Sequence, residues 1–352
     1  MVALSGGVDS STAALLLTSQ GYEVIGISLK LYSGIHSSEC CGVKGIEDAR
    51  GVAHKLGIPF YVLNYEREFE EKVIKPFCQE YENGRTPNPC VLCNEEIKFG
   101  TLLKKAEELR VDYIATGHYA RTEYHSAARR YILRKGRDKE KDQSYFLFSL
   151  SQKQLSRILF PLGDYTKSEV RRLAGEFGLK VHNKAASQEV CFINTDYREF
   201  LKARIRTDRT ERNISGLKPG PIVNTEGETV GEHQGIAFYA IGQRKGIGAH
   251  RKPLYVIAVD KDKNTIKVGE DRELYKNELT AQRVNWIKEK LTHPRKVKAK
   301  IRYKHPEAEA MITPLNGTKV EVRFTRPQRA ITPGQAVVFY EQDMVLGGGW
   351  IH

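Results

Sequence analysis

A glycine- and serine-rich segment near the start of the printed chain separates an apolar stretch from an amphipathic one. It reads Ser5-Gly6-Gly7-Val8-Asp9-Ser10-Ser11, between Val2 to Leu4 and Thr12 to Gln20. The two glycines allow backbone N–H groups to turn toward an anion, and a helix that starts here adds the positive end of its dipole. We predict a strand, a pyrophosphate-binding loop and a helix, with the serine hydroxyls as further donors.

This loop is not the GxxxxGK[ST] nucleotide loop, because no lysine stands where the β- and γ-phosphates would be bound. It is typical of chemistry at the α-phosphate, in which ATP is split into AMP and pyrophosphate. A Gly-Ser turn that only caps a helix is the competing interpretation. Seven fitting residues between a strand and a helix favour the nucleotide loop.

Strand-like and helix-like segments alternate through the first half of the chain, which predicts an α/β fold with a doubly wound parallel sheet. In such sheets ligands bind at the carboxyl ends of the strands, here the loops Ser5–Ser11, Leu31–Cys41 and Thr116–Tyr119. The predicted strands are Val2–Leu4, Glu23–Leu31, Pro59–Leu63 and Val111–Ala115, and the predicted helices are Thr12–Gln20, Lys44–Leu56, Glu66–Glu82, Glu95–Leu109 and a Thr166-capped helix to Phe177.

After Asp196 the composition changes to glycine, proline and β-branched residues with turns at short intervals. This predicts a small β-rich region followed by a barrel or sandwich of roughly 80 residues, the usual size of such modules. We therefore divide the chain into a catalytic domain (1–196), a small central domain (197–274) and a C-terminal β-domain (275–352).

The positive charge is concentrated in the second half of the chain. The net charge of +13 divides into +2 for residues 1–196 and +11 for residues 197–352. One segment, 296–304, alternates basic and apolar residues, which predicts a strand with one basic face. A solvated surface is the alternative, but five like charges on one face favour a polyanionic partner, of which nucleic acid is the leading candidate.

Six cysteines occur in a chain whose first residues do not read as a signal peptide. This favours intracellular thiol or metal chemistry over structural disulfides. Cys90 and Cys93 form a CxxC in a proline-stiffened segment, and we predict that Cys93 lies near the start of the following helix, where the dipole favours a thiolate. Cys191 follows a polar loop. Burial is the ordinary fate of single cysteines, and we assign Cys78 to the core.

These motifs together resemble the tRNA-specific 2-thiouridylase family along essentially the whole chain. The resemblance implies an N-terminal ATP pyrophosphatase domain, a small central domain and a C-terminal β-barrel. The matching segments are SGGVDSS, GRTPNPCVLCNEEIKFG, ATGHYAR, KDQSYFLFSL, SQEVCFI, GEHQG, GQRKGIG and TPGQAVVFY.

The resemblance also implies a reaction: ATP adenylates the C2 oxygen of the wobble uridine in tRNA, and persulfide sulfur then displaces AMP. It implies Cys93 as the nucleophile and Cys191 as the persulfide carrier, with ATP and Mg²⁺ as cofactors, a sulfur-donor protein as partner, and a cytoplasmic location without membrane attachment. The implied ATP-site residues are Ala3, Leu4, Ser5, Gly6, Gly7, Val8, Asp9, Ser10, Leu29 and Gly117. The implied tRNA contacts are Asn88, Pro89, Cys90, His118, Lys141, Asp142, Gln143, Arg302, Tyr303 and Gln335.

One position departs from the pattern that the resemblance implies: the family usually has aspartate after Asn-Pro, where this chain has Cys90. Three interpretations stay open: a persulfide enzyme, a [4Fe–4S] cluster held by Cys90, Cys93 and Cys191, or a Cys₄ zinc site that adds Cys40 and Cys41. Under the first, Cys90→Ser retains at least partial activity. An ATP-dependent C–N ligase acting on RNA and a non-catalytic RNA-binding protein are the competing functions.

Overall fold

The computed structural model describes residues 1–33, 42–184, 190–193, 196–207 and 215–352 of the chain. It contains two compact units. The first comprises 1–73, 90–196 and 343–345, and the second comprises 74–89, 197–342 and 346–352. Cys40 and Cys41, and with them the predicted zinc site, lie outside the described residues. No helix in the described ranges is long and apolar enough to cross a membrane.

The first unit is built on a five-stranded parallel sheet with the strand order β3-β2-β1-β4-β7. Small and apolar side chains of the helices cover it, with Ala14, Leu17, Ala49 and Ala53 packed beside Val2. The doubly wound α/β prediction is thus confirmed. An antiparallel hairpin, β5 and β6, completes the unit and pairs with Met344 and Val345. The strands are β1 (Val2–Ala3), β2 (Gly26–Lys30), β3 (Phe60–Asn64), β4 (Ile114–Ala115), β5 (Ala120–His125), β6 (Arg130–Lys135) and β7 (Ile158–Leu159).

The order of this sheet places the glycine-rich loop at its switch point. Strand β1 lies between β2, which it precedes in sequence, and β4, so the chain leaves β1 toward one side of the sheet and later returns on the other. Crevices at such points are where open α/β sheets bind ligands. The loop therefore has the position that its sequence predicts.

The helices of the first unit agree with the predicted order but not always with the predicted ends. The α-helix at the glycine-rich loop begins at Val8, earlier than predicted. The helix that we predict from Glu95 begins earlier, at Pro89. Proline is compatible with this position because its missing N–H is not needed in a first helical turn. The α-helices are Val8–Ser19, Val43–Leu56, Glu66–Phe69, Pro89–Leu92, Leu102–Glu108, Gln152–Leu155 and Lys167–Glu176; π-helical segments are Glu70–Ile74 and Cys93–Thr101; 3₁₀ turns are Ser144–Leu147 and Lys180–Asn183.

The second unit contains a four-stranded sheet, in the order β10-β11-β8-β9, and a closed six-stranded barrel. The barrel order is β12-β15-β14-β13-β16-β17, and β17 pairs back onto β12. This confirms the predicted β-rich second half. Its strands are β8 (Gly220–Val223), β9 (Thr229–His233), β10 (Tyr255–Asp260), β11 (Thr265–Gly269), β12 (Tyr275–Trp286), β13 (Arg295–Lys300), β14 (Ala308–Pro314), β15 (Val320–Arg329), β16 (Ala336–Glu341) and β17 (Met344–Ile351); its helices are Lys75–Glu82 and Tyr197–Thr207, with 3₁₀ turns Ser215–Leu217, Ile236–Phe238 and Asp271–Leu274.

The basic strand of the sequence is present in shortened form as β13. Lys296 and Lys298 are exposed, whereas the alternating Val297 and Ala299 are buried in the barrel. The prediction that the strand continues to Lys304 is wrong, because β13 ends at Lys300. The basic face of the strand therefore carries three lysines rather than five cations.

Candidate active site

The glycine-rich loop is shaped by close backbone packing. Gly6 has a φ of +69°, and a Cβ added there would lie 2.2 Å from the carbonyl oxygen of Gly45. No side chain fits that space, and L-residues rarely adopt that conformation. Gly7 precedes the helix Val8–Ser19 in an extended conformation and caps it without a side-chain hydrogen bond. The first-turn N–H groups of this helix thus receive no acceptor from the cap, as an anion site requires.

The three loop serines differ in what they offer. Ser11 is fully buried and donates its hydroxyl to the Gly7 carbonyl at 2.8 Å, so the prediction that it is a hydroxyl donor to an anion is wrong. Ser10 accepts a hydrogen bond from the Ser5 backbone N–H at 3.1 Å, and the two hydroxyls lie 3.2 Å apart. Ser5 is exposed. Ser5 is therefore the serine of the loop best placed to meet a ligand.

A buried tyrosine and a lysine converge on Asp9. The Lys167 ammonium lies 2.5 Å from Oδ1 of Asp9, and the Tyr119 hydroxyl donates to the same oxygen at 2.7 Å. Burial, followed by the nearby Asp9 carboxylate, raises the pKa of Tyr119 far above its ordinary value, so the phenol stays protonated as a donor. The Asp9 side chain is nonetheless 33% exposed, so this charged loop residue faces solvent.

The position of Lys167 is fixed by a capping box that the sequence predicts. The Thr166 hydroxyl accepts a hydrogen bond from the Glu169 N–H, and the Thr166 N–H donates to the Glu169 carboxylate at 2.7 Å. This reciprocal pair of hydrogen bonds starts the helix Lys167–Glu176. These hydrogen bonds, first that of the Thr166 N–H and then that of Arg137, lower the pKa of Glu169 to about 2. Lys167 is thus the first residue of a firmly started helix.

A second lysine, Lys184, contacts the loop at Gly6. The Lys184 ammonium forms a 2.7 Å ion pair with Asp48 and lies 3.4 Å from the Gly6 carbonyl oxygen. Its side chain is 18% exposed. The loop motif lacks a lysine, yet the fold supplies two cations, Lys167 and Lys184, at its two ends. Either can neutralise phosphate charge once a nucleotide is bound.

Gly117 lies against the backbone of the loop itself. A Cβ at Gly117 would be 2.7 Å from the Asp9 carbonyl carbon and 2.7 Å from the Ser10 nitrogen. Gln143, which the resemblance assigns to tRNA contact, bonds both backbone groups of Tyr119, at 3.1 and 2.9 Å. Gly117 thus allows its segment to pack directly on the loop, and Gln143 fixes the backbone of Tyr119 beside it.

The remaining residues of the 141–143 segment divide between surface and interior. Asp142 is 7% exposed and accepts from the Gly136 N–H and from the Ser144 N–H and hydroxyl. Lys141 is exposed. Of the implied tRNA contacts in this segment, Lys141 is the one with a charge open to a phosphate, and its contact stays a prediction.

The Cys93 thiol is buried at the α-to-π junction of its helix. The residue is 7% exposed, and it begins the π-helical segment one turn after the helix starts at Pro89. Burial raises the pKa of Cys93 to about 12; the Lys98 ammonium opposes this, and Cys191 and Cys90 add to it. The sequence leaves the reactivity of Cys93 open, because Glu95 and Glu96 oppose the effect of the helix dipole; in the structure, desolvation is the largest influence on its pKa and favours the neutral thiol.

Cys90 and Cys191 lie near Cys93 and complete a cluster of three thiols: both raise the pKa of Cys93, and Cys191 also raises that of Cys90. Cys90 is exposed and Cys191 is half-buried, and none of the three forms a disulfide. Desolvation of the Cys90 thiol, followed by the nearby Cys191, raises its pKa to about 11, and Lys98 opposes this shift. Phe192 anchors the Cys191 segment, since it is 1% exposed and packs edge-on against Phe69.

The three thiols do not form a metal-binding set. Within the described ranges, no group of three or more His, Cys, Asp or Glu side chains is arranged to hold a metal ion. The [4Fe–4S] interpretation, which requires three thiolates to converge on one centre, therefore finds no support among the described residues.

His118 is buried and uncharged. Its ring lies 6.0 Å from that of Phe99 and 5.9 Å from that of Phe160, and its Nδ1 is 2.7 Å from the Thr116 hydroxyl. Burial, and then Lys98, lowers its pKa well below the ordinary value. The tRNA contact implied for His118 stays a prediction, and a neutral ring rules out a cationic one at pH 7.

In the second unit, Gln335 and Arg302 have structural partners of their own. The Gln335 amide donates to the Thr86 and Pro87 carbonyls at 3.1 and 2.9 Å. Arg302 donates to the Ala330 and Arg329 carbonyls. The tRNA contacts implied for these two residues stay predictions.

Three further implied tRNA contacts also lie in this unit. Asn88 and Pro89 are buried. The Tyr303 ring is half-buried and lies 5.5 Å from the Lys300 ammonium. None of these contacts is tested by the structure, so they too stay predictions.

Sequence reasoning missed Tyr119, Lys167, Lys184 and Lys98 as site residues. The first three reach the loop only through tertiary packing, from positions 110 to 178 residues away. Lys98 follows Cys93 by five residues, a spacing that does not place two side chains on the same face of an α-helix. The segment is π-helical, which sequence reasoning did not predict, and Lys98 acts on the Cys93 thiol there.

We expect Lys98→Met to make Cys93 less reactive. The ammonium lowers the pKa of Cys93 against the effect of burial, so its removal raises that pKa further and reduces the thiolate fraction at any given pH. Alkylation of Cys93 by iodoacetamide should slow roughly 3- to 10-fold, corresponding to a pKa shift of about 0.5 to 1 unit. Peptide mass analysis between pH 7 and 10 gives the rate.

Lys98→Arg keeps the charge and is the matched control for this change. The measurement uses Cys90→Ser protein, so that the exposed thiol does not consume the reagent. An alkylation profile that is the same for Lys98→Met and its parent would show that Lys98 has no electrostatic influence on Cys93.

Comparison with known proteins identifies the class and the family. A family model described as the tRNA methyl transferase HUP domain matches residues 1–195. Models of a tRNA methyl transferase PRC-barrel domain and an aminomethyltransferase beta-barrel domain match residues 211–270 and 276–351. The parallel sheet and the loop at its switch point thus define a HUP-domain protein with a pyrophosphatase-type loop.

Proteins named tRNA-specific 2-thiouridylase MnmA are similar along the whole chain. Those of Halothermothrix orenii and Moorella thermoacetica are each 50% identical, and that of Acetivibrio thermocellus is 49% identical, over 100% of this chain and 98% of theirs. The chain belongs to the tRNA-specific 2-thiouridylase family.

Proposed function

We propose that this protein is an ATP-dependent tRNA-uridine 2-sulfurtransferase, which replaces the C2 oxygen of the wobble uridine by sulfur. One observation carries the proposal: a pyrophosphatase-type loop and a cluster of three cysteine thiols belong to the same compact unit. A C–N ligase needs the first and has no use for the second. Family membership supports the same conclusion.

The first half-reaction is activation of the uridine. Uridine C2 is a poor electrophile, and transfer of AMP to its oxygen creates a leaving group. The first-turn N–H groups after Gly7, with Lys167 and Lys184, would hold the phosphates and stabilise the charge of the departing pyrophosphate. Ala3, Leu4, Val8 and Leu29 are proposed as the apolar and backbone wall of this ATP site.

Mg²⁺ would fit the same loop. Asp9 offers a partly exposed carboxylate, a ligand type that Mg²⁺ uses together with phosphate oxygens. When bound, the ion would neutralise phosphate charge. No group in the described ranges fits a [4Fe–4S] cluster, and we assign none to the reaction.

The second half-reaction is sulfur transfer by two cysteines. A persulfide on Cys191 attacks C2 and displaces AMP, which leaves the sulfur bonded both to the base and to Cys191. Cys93 then attacks the Cys191 sulfur, so that the base keeps its sulfur as the 2-thiocarbonyl and a Cys93–Cys191 disulfide forms. The Cys93 proton must leave in this step, and the nearby Lys98 favours the thiolate.

The sulfur source and the tRNA surface are parts of the same proposal. Cys191 is half-buried and Cys90 is exposed, so we propose that a persulfide-bearing donor protein loads Cys191 in the cytoplasm. For tRNA, we propose the basic second unit. The exposed Lys296 and Lys298 of β13 contribute, and so does a turn held by Gln243 that leaves Arg244 and Lys245 exposed.

The direct test supplies purified protein with ATP, Mg²⁺, a persulfide donor and an unmodified tRNA transcript. Nucleoside mass analysis should show 2-thiouridine, and pyrophosphate should be released in a tRNA-dependent manner. A C–N ligase would give a modified nucleoside without sulfur, and a non-catalytic RNA-binding protein would release no pyrophosphate.

We expect Lys298→Ala combined with Lys300→Ala to weaken all tRNAs alike. For every phosphate that the variant no longer neutralises, the plot of log K against log salt should flatten by about one unit. The measurement is fluorescence-anisotropy binding of several tRNAs between 50 and 300 mM salt, a range chosen around physiological ionic strength of about 0.15 M.

The matched control for the β13 change removes the same charge from the first unit. Lys55 and Lys104 are both exposed there, and replacing them by alanine should leave the slope unaltered. An unchanged slope in the β13 variant would mean that this strand face is merely solvated.

A further inference from the structure

The three thiols are unequal in access, and this matters after each turnover. The proposed reaction ends with a Cys93–Cys191 disulfide that an external thiol must reduce. Thiol–disulfide exchange requires the attacking sulfur to reach one of the two bonded sulfurs. Cys93 is 7% exposed and Cys191 is half-buried. The disulfide would therefore form in the least accessible part of the cluster.

Cys90 has both the access and the position to reach this disulfide. It is the exposed member of the cluster, and it stands three residues before Cys93 along one continuous helical segment. Residues three apart lie on the same face, with Cβ atoms about 5–6 Å apart. A disulfide needs roughly 3.5–4.5 Å between Cβ atoms. A displacement of about 1–2 Å therefore suffices to join them.

We propose that Cys90 is a resolving thiol that moves the disulfide from Cys93–Cys191 to Cys90–Cys93. This rests on the proposed function and goes beyond it. Cys90 attacks the Cys93 sulfur, the Cys93–Cys191 bond breaks, and Cys191 leaves as a thiol with the proton that Cys90 gives up. The exchange is redox-neutral. A dithiol reductant then attacks the exposed Cys90 sulfur and releases both cysteines.

The exchange has two consequences for the cycle. It returns Cys191 to its reduced form before any reductant acts, so the persulfide carrier is ready to be reloaded. It also presents the remaining disulfide through the exposed Cys90, where an external dithiol has access.

The test compares wild-type protein with Cys90→Ser through one turnover without reductant. Both should form 2-thiouridine in this first turnover, the variant at least in part, because no sulfur passes through Cys90 before the Cys93–Cys191 disulfide exists. Disulfide mapping by mass spectrometry should then find Cys90–Cys93 with free Cys191 in the wild type, and Cys93–Cys191 in the variant. Dithiothreitol should reduce the wild-type disulfide at least about tenfold faster. Cys78→Ser, a half-buried cysteine outside the cluster, is the matched control.

Three results would overturn the inference. A Cys93–Cys191 disulfide that persists in the wild type would show that no exchange occurs. Equal reduction rates would show that exchange brings no access. A lost first turnover in Cys90→Ser would place Cys90 in the chemistry instead. In each case wild-type 2-thiouridine formation would still stand, whereas its absence would overturn the proposed function itself.

Discussion

Cys93→Ser and Cys191→Ser should each abolish 2-thiouridine formation while tRNA-dependent pyrophosphate release continues. A serine hydroxyl can neither carry a persulfide sulfur nor attack a sulfur–sulfur bond. Loss of a covalent nucleophile costs other enzymes a factor of about a thousand or much more, and we expect at least that here. Nucleoside mass analysis and a pyrophosphate assay on the same samples separate the two half-reactions.

Cys78→Ser serves as the control for this pair, since that cysteine lies outside the cluster and in the other unit. Full activity is expected from it. Retention of a substantial fraction of 2-thiouridine by either Cys93→Ser or Cys191→Ser would contradict the two-cysteine mechanism. Full ATP-dependent modification by a variant with alanine at both Cys93 and Cys191, with no sulfur in the product, would favour the C–N ligase.

Asp9→Ala should abolish ATP-dependent modification and leave tRNA affinity within about twofold of wild type. The substitution removes the carboxylate that pairs with Lys167 at 2.5 Å and accepts from Tyr119 at 2.7 Å. The loop then loses the contacts that hold its geometry and the charge that balances Lys167. We expect the rate of modification to fall at least about 100-fold, as is usual for the loss of one preorganised electrostatic group. Most of the net positive charge lies beyond residue 196, so tRNA binding should persist.

The control for Asp9→Ala is a substitution of another carboxylate in the same unit that faces solvent. Asp112 is exposed, and Asp112→Asn should keep full activity. Ser10→Ala, which removes the hydroxyl that bonds the Ser5 N–H, should resemble Asp9→Ala. Equal collapse of tRNA binding and modification in Asp9→Ala, with the thermal midpoint unchanged, would refute the division of labour between the two units.

The parts of the site that sequence could predict are those with a local pattern. The loop from Ser5 to Ser11, the capping box at Thr166 and the alternation along β13 each depend on neighbours in sequence, and each is present. Lys167 and Lys184 could not be placed, because they meet the loop through tertiary packing alone. No periodic pattern in the sequence predicts these contacts.

The chemistry of the thiols was the least predictable part. The helix-dipole argument for Cys93 considers the local backbone, whereas its pKa is set first by burial among side chains from elsewhere in the chain. Helix ends were misplaced for a related reason. Pro89 reads as a breaker in sequence, but the missing N–H has no cost in a first turn, and so the helix starts before the CxxC rather than after it.

The chain crosses between its two compact units more than once, and this limits how it can be dissected. Residues 74–89 belong to the second unit, where Phe77 packs edge-on against Phe200 and Tyr81 stacks on Tyr197 at 4.6 Å. A fragment ending at residue 196 would leave these aromatic faces without their partners. We expect such a truncated protein to aggregate. ATP-dependent activation and tRNA binding are therefore better separated by point substitutions than by truncation.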